Sequence, residues 1–288
     1  MKKIAIVADS NSGYTKEQAD AAGIYLVPMP FYIDGKEYFE GINLSQEEFY
    51  EFLKQDVQVS TSQPSPDSMM SLWDELLKEY DQLLYFPMSS GLSGSCQTAM
   101  MLAQDYEGRV LVVNNQRISV TLKRSIMDAL ELVKMGKSAE EIKEYCEQTK
   151  FDSVIYIVVD TLKYLKKGGR ITPAAAALGT LLRIKPILQI RGEKLDSYAK
   201  ARTMGLAKKM VIDALKKDVA EMFDGDVQNL HFDLAYTDNS KVALEMKALL
   251  EEEFPGCGAM LIDPLSLSVS CHIGEGALGI ACSRKLTV

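Results

Sequence analysis

Short runs of continuous apolar residues alternate along this chain with longer segments whose apolar positions recur every three or four residues. That alternation limits the fold more than any other feature. The runs Ile4–Ala8, Leu83–Phe86, Val110–Val113, Val154–Val159, Leu230–Tyr236 and Ala259–Ile262 are expected to be strands, several of them apolar enough to be covered on both faces. The segments between them carry helix-start signals. Ser45 with Glu48 and Ser138 with Glu141 are capping boxes. Ser65-Pro66 and Thr172-Pro173 place a capping hydroxyl before a first-turn proline, the second ahead of the apolar run Ala174–Leu182. Strands alternating with helices predict an α/β fold with a largely parallel sheet.

The length, 288 residues, corresponds to about two domains of average size. With no internal repeat or low-complexity linker to mark a boundary, it is expected near residue 160, where a strand ends and the basic stretch Lys163–Arg170 begins, giving an N-terminal domain 1–160 and a C-terminal domain 161–288. Apolar residues make up 47% and charged residues 25% of the chain, an ordinary globular composition that excludes disorder as the main state. No apolar run approaches the roughly 20 residues of a membrane span, and the opening MKKIAIVADS reads as a first strand rather than a signal peptide. A net charge of −8 makes nucleic acid an unfavourable partner. Five cysteines, none in a C-x-x-C pair, fit reduced thiols in a cytoplasmic protein better than a disulfide framework or zinc ribbon. With only two histidines, His231 and His272, a His-rich metal site is excluded.

Two hydroxyl-rich loops carry the strongest chemical signal. Pro87–Ser95 (PMSSGLSGS) follows a strand and opens a helix, and Ser60–Ser65 (STSQPS) leads into another. Unsatisfied N–H groups at a helix start, a glycine that lets a ligand approach the backbone, and nearby hydroxyls together suit a carboxylate or phosphate. In an open α/β sheet such loops converge at the carboxyl ends of the strands. Each alone also reads as an ordinary capped helix entry. Gly274, Gly276 and Gly279 match G-x-G-x-x-G, but only nine residues follow Gly279, too few for the second strand and acid of a dinucleotide site. His231, in an alternating strand, reads as a packed residue. Lys163–Arg170, with Arg183, Lys185, Lys200 and Arg202 further on, is either a solvated face or a docking surface for an acidic partner or phosphorylated headgroup. One enzymatic alternative is a serine hydrolase acting on lipid or acyl esters, in which Ser93 of Gly91-Leu92-Ser93-Gly94-Ser95 is the nucleophile, His272 the base, and Asp9 or Asp263 its orienter.

An ordered set of segments resembles the DegV family of bacterial fatty-acid-binding proteins: Asp9-Ser10, Ile33–Tyr38 (IDGKEY), Thr61–Ser65 (TSQPS), Ser89–Gly94 (SSGLSG), Leu165–Ile171 (LKKGGRI), Lys185–Leu188 (KPIL), and His272-x-Gly274-x-Gly276-Ala277. The resemblance implies a two-domain fold, a mainly parallel sheet flanked by helices plus a second α/β domain, holding one long-chain fatty acid in a tunnel between the domains. It implies a carboxylate held at Thr61 and Ser93, with Ser62, Gly94 and His272 in the same site. It further implies a carrier rather than a catalyst, with no cofactor and no metal. A separate ATP-dependent fatty acid kinase subunit would phosphorylate the bound carboxylate for phospholipid synthesis, and Arg170 and Arg202 would meet that partner or the phosphorylated product. The chain departs from the family's pattern at Asn114-Asn115, where Asp-Ser is common, and at Glu275, where proline is common. A carboxylate three residues from His272 can raise the histidine's pKa or oppose an anionic ligand.

Overall fold

A computed structural model describes residues 2–55, 57–177, 184–192 and 195–287. In chain order the strands are β1 (Ile4–Asp9), β2 (Ile24–Val27), β3 (Phe31–Ile33), β4 (Lys36–Tyr38), β5 (Val59–Thr61), β6 (Gln82–Phe86), β7 (Val110–Val112), β8 (Ser153–Val158), β9 (Lys185–Ile190), β10 (Leu195–Ala201), β11 (Leu230–Tyr236), β12 (Ile262–Pro264) and β13 (Leu278–Arg284). The helices are α1 (Lys16–Ala22), α2 (Gln46–Leu53), α3 (Pro66–Leu76), α4 (Ser95–Leu102), α5 (Ser119–Lys134), α6 (Ala139–Gln148), α7 (Lys163–Gly168), α8 (Pro173–Ala177), α9 (Met204–Met222), α10 (Lys241–Glu253) and α11 (Leu267–Ile273).

Three sheets result. The first, in the order β2-β1-β6-β7, is parallel throughout. Its inner strands are buried on both faces, by one cluster around Trp73 and Tyr85 and another around Phe86, Leu122 and Ile142. The second, β10-β9-β8-β13-β11-β12, departs from the parallel expectation: every pair in it is antiparallel except β11 with β12. A small antiparallel sheet, β4-β3-β5, packs with α2 and α11 in a cluster of Phe31, Phe49, Tyr50 and Leu267.

The helix starts follow the sequence signals. Both capping boxes form, Ser65 accepts from the Ser68 amide, and Thr172 from that of Ala175. The run expected from Ala174 starts in α8; its residues beyond 177, and Arg183, lie outside the described residues. The strand expected at Ala259–Ile262 instead begins at Ile262, because side chains take the preceding backbone groups: Arg124 donates to the Ala259 carbonyl and Asp233 accepts from the Leu261 amide at 2.8 Å. Met100 and Met101, weighed as core residues, are exposed on α4, whereas Met204 and Met210 pack on the core.

Helix α5 joins the layers. It packs against β1 and against β11 and β13, and two cations beside each other on it are buried. Lys123 pairs with Asp263 of β12 at 2.8 Å and also donates to the Gly13 carbonyl. Arg124 grips Asp233 of β11 bidentately at 2.9 and 2.7 Å. All five cysteines are unpaired and buried, and burial raises their thiol pKa values, to about 12 for Cys96 and about 11 for Cys146. Among the described residues no helix is long and apolar enough to cross a membrane, and no cluster of His, Cys, Asp or Glu could hold a metal.

Candidate ligand site

The loops at the carboxyl ends of β1, β6 and β7 are cross-tied. The Asp9 carboxylate, fully buried at the end of β1, accepts from the backbone amides of Met88 at 2.7 Å and Asn11 at 3.0 Å. Burial outweighs those two bonds and pushes its pKa up to about 7. The Ser89 amide donates to the Arg117 carbonyl, linking the β6 loop to the start of α5.

Helix α11, which carries His272, is held from three directions. The side-chain carbonyl of Asn11 accepts from the hydroxyls of Ser266 and Ser268. Glu40 accepts from the Leu267 amide at 2.8 Å, satisfying a helix-start N–H that would otherwise be orphaned. Tyr50 donates to the Ser270 hydroxyl at 3.0 Å. His272 then reaches the end of β5, where its Nε2 shares a 2.8 Å hydrogen bond with the Thr61 hydroxyl. Burial, and secondarily the Arg170 guanidinium, hold its pKa down at about 4, so the ring is neutral at pH 7. The rise anticipated from the Glu275 carboxylate does not occur. Burial, and secondarily the charges of Arg124, Lys285 and Arg117, also push His231 down, to about 3.

A neutral His272 that donates from Nε2 leaves the Thr61 hydroxyl hydrogen available to an anion. The Ser93 hydroxyl accepts from the Ser95 amide at 3.2 Å, and its own hydrogen is likewise available. Ser62 and Gly94 are exposed at the same rim, as is Arg170. These residues, with Thr61, Ser93 and His272, border one cavity of about 310 Å³, within the usual size range for small-molecule sites. Arg202, grouped with Arg170 from sequence, is exposed after β10 and is not among the cavity-lining residues.

Beyond those residues the lining is mainly aliphatic, with Asn11, Gln63, Ser119 and Ser268 the remaining polar side chains. Met29, Met88, Leu92, Ile118, Val120, Leu265 and Val269 line the cavity above the six-stranded sheet. The strand register supplies the floor. Ile190, Ile155 and Ala281 form one row across β9, β8 and β13; Ile157, Gly279 and Ala235 form the next row, across β8, β13 and β11. Three small residues at the centre of the floor leave the space open.

The triad suggested by sequence does not assemble. His272 bonds Thr61 rather than Ser93, Asp263 is paired with Lys123, and Asp9 is engaged by backbone amides. Gly279 lies inside β13 rather than at a helix start, so the glycine pattern has no dinucleotide-binding geometry.

Several site residues carried no sequence signal of their own. Gly168 is one: a Cβ there would lie 2.1 Å from His272 Nδ1, so only glycine lets α7 pack on this ring. Gly168→Ala is expected to displace the imidazole, break its bond to Thr61, and weaken ligand binding about tenfold; an unchanged His272 ring resonance in the NMR spectrum of the variant would refute this.

Comparison with known proteins identifies the family and the fold. The model of the DegV family matches residues 3–285. A DegV domain-containing protein of Staphylococcus aureus strain N315 is 32% identical over 285 residues, covering 99% of this chain and 100% of that protein. One from Deinococcus radiodurans is 32% identical over 96% of this chain and 97% of its own length. Among solved structures, a fatty-acid-binding DegV family protein from Thermus thermophilus superposes with a TM-score of 0.89 at 27% identity, covering 98% of this chain and 99% of that one. DegV from Bacillus subtilis, described as a fatty acid binding protein, gives 0.86 at 27% identity over 99% of this chain and 100% of its own. With the family's sequence match spanning nearly every residue and both structures superposing over 98–99% of the chain, the chain belongs to the DegV family.

Proposed function

We propose that this protein binds one long-chain fatty acid, with its hydrocarbon tail in the mainly aliphatic cavity and its carboxylate at the Thr61–Ser93–His272 rim, where Ser62 and Gly94 complete the headgroup site. The observation that carries this reading is the cavity's lining: hydroxyls, His272 and Arg170 gather at the rim, and most of the remaining side chains are aliphatic. Burying 10–14 methylenes contributes roughly 8–11 kcal/mol before the cost of association, whereas each hydroxyl contributes about 1 kcal/mol. The tail therefore supplies most of the affinity, and the hydroxyls set the position of the acid. Two α/β lobes parting near residue 160 would hold the ligand between them.

In the fuller form of this reading the protein is a carrier. A partner kinase transfers the γ-phosphoryl group of ATP to a carboxylate oxygen, releasing ADP and leaving an acyl phosphate for phospholipid synthesis. Arg170, on the rim, is placed to offset the added charge, and the exposed Arg202 is a candidate contact for the partner.

Organic extraction of the purified protein followed by mass spectrometry tests the binding itself: intact fatty acid at one equivalent is expected, and its absence together with failure to bind added stearate would end the proposal. Ser93→Ala is expected to weaken binding by no more than about tenfold. A thousandfold loss would contradict the division of labour between tail and headgroup.

A further inference from the structure

Asp9 sits at a node of the cavity wall to which the ligand reading gives no role. It ends β1, is fully buried, and caps the short 3-10 turn Ser10–Ser12. Each of its carboxylate oxygens is taken by a backbone amide, Oδ1 by Asn11 at 3.0 Å and Oδ2 by Met88 at 2.7 Å. The residues held in this way carry much of the wall. Ser10 accepts from the Met29 amide at 3.0 Å. Asn11 accepts from Ser266 and Ser268 and donates to the Met88 sulfur. Asn11, Met29, Met88 and Ser268 all line the cavity. Four separate stretches of lining therefore hang on one carboxylate, and through the two serines so does the start of α11, which carries His272.

No cation offsets this carboxylate; burial is opposed only by the two amide bonds. The titratable groups facing it are Tyr85 of β6 and Cys96 of α4, both kept neutral by burial. Among the other elements packed nearby, β2 carries Tyr25, which bonds Tyr80. Helix α5 carries Lys123 and Arg124, taken by Asp263 and Asp233, and Asp128, which faces Arg117 and Arg124. Cys271 and His272 of α11 are neutral at pH 7. Burial brings the pKa of Asp9 itself up to about 7, so both of its forms are populated near neutral pH. A proton added to either oxygen turns an acceptor into a donor that faces an N–H, and in so buried a place solvent does not replace the lost bond.

Building on the fatty-acid reading above, we infer that Asp9 is an acid-operated latch on the cavity wall: its carboxylate form holds the wall around the tail, and its protonation frees one of the two amides, loosens the 3-10 turn and speeds release of the fatty acid. Retention is therefore strongest above neutral pH and unloading fastest below it.

Stopped-flow release of cis-parinarate, a fluorescent fatty acid, from the full-length protein chased with excess oleate reads the latch between about pH 8.5 and about pH 6. The wild type is expected to release about tenfold faster at the lower pH, with the Met88 and Asn11 amide resonances moving over the same range. In Asp9→Asn, whose side chain offers one acceptor in place of two, release is expected to be fast at both pH values. The ligand's own carboxylate titrates alike in both proteins, so the comparison isolates Asp9. A wild-type rate that is equal at the two pH values, or the full rise retained in a folded Asp9→Asn, overturns the inference while leaving the fatty-acid reading intact. Met88 and Asn11 amide resonances that stay fixed across the range overturn it without any variant. If neither cis-parinarate nor stearate binds at either pH, the fatty-acid reading fails and this inference with it.

Discussion

Replacing Ala281 with phenylalanine is expected to weaken fatty-acid binding by more than about 100-fold while leaving the protein folded. Ala281 is 1% exposed in β13, in register with Ile155 on one side and with Asp233 on the other, so its methyl group forms the middle of the cavity floor. An aromatic ring built from that position occupies the space the tail needs. The direction of the stability change separates this outcome from simple damage. Forcing a larger side chain into a filled core costs about 1–3 kcal/mol, but one that fills an existing void leaves stability level or raises it. Ligand-induced stabilisation supplies the second readout: at 100 times Kd a ligand adds about 2.7 kcal/mol, visible as a rise in Tm for the wild type and absent in Ala281→Phe. A folded variant with wild-type affinity would show that the tail lies elsewhere.

Removing Arg124 is expected to have the largest effect on stability. Its guanidinium and the Asp233 carboxylate are almost wholly removed from solvent, at 10% and 1% side-chain exposure. Arg124→Ala leaves a buried carboxylate unpaired, at a cost of about 3–5 kcal/mol, or a fall in Tm of roughly 10 °C. The double replacement of Arg124 by Met and Asp233 by Leu is expected to recover much of that loss, since a buried ion pair exchanged for apolar groups is often near neutral. Recovery will be incomplete, because Asp233 also accepts from the Leu261 amide and Leu cannot. Chemical denaturation of the three proteins measures both effects; a loss below about 1 kcal/mol for Arg124→Ala would mean that water reaches the pair.

What could be read beforehand is divided by the range of the signal. Strand β11 was expected at the residues it occupies, and both Ser/Glu capping boxes closed as expected, because apolar alternation and i,i+3 caps are local. The two hydroxyl loops were legible for the same reason: a strand, a small-residue loop and a helix start are adjacent in sequence. The antiparallel order of the second sheet was not, since nothing within β8 or β13 says that they pair with each other. The open floor depends on that pairing, because Ala235, Gly279 and Ala281 become neighbours only through the register. Asn11 was passed over although it follows the noted Asp9-Ser10, because its partners lie more than 250 residues away. Arg202 was grouped with Arg170 through the family resemblance, as a contact for a partner or product, and such a role does not require both side chains to line one cavity.

The five native cysteines, buried and held in their protonated form, are expected to react slowly with thiol-directed reagents, since the thiolate is the reacting species. A single thiol introduced on the outside, for instance by Arg202→Cys, would take up a maleimide dye without first stripping the native sulfurs. The wild-type background is thus already suited to single-site labelling, and a dye at that point would report directly on whether another protein lands there.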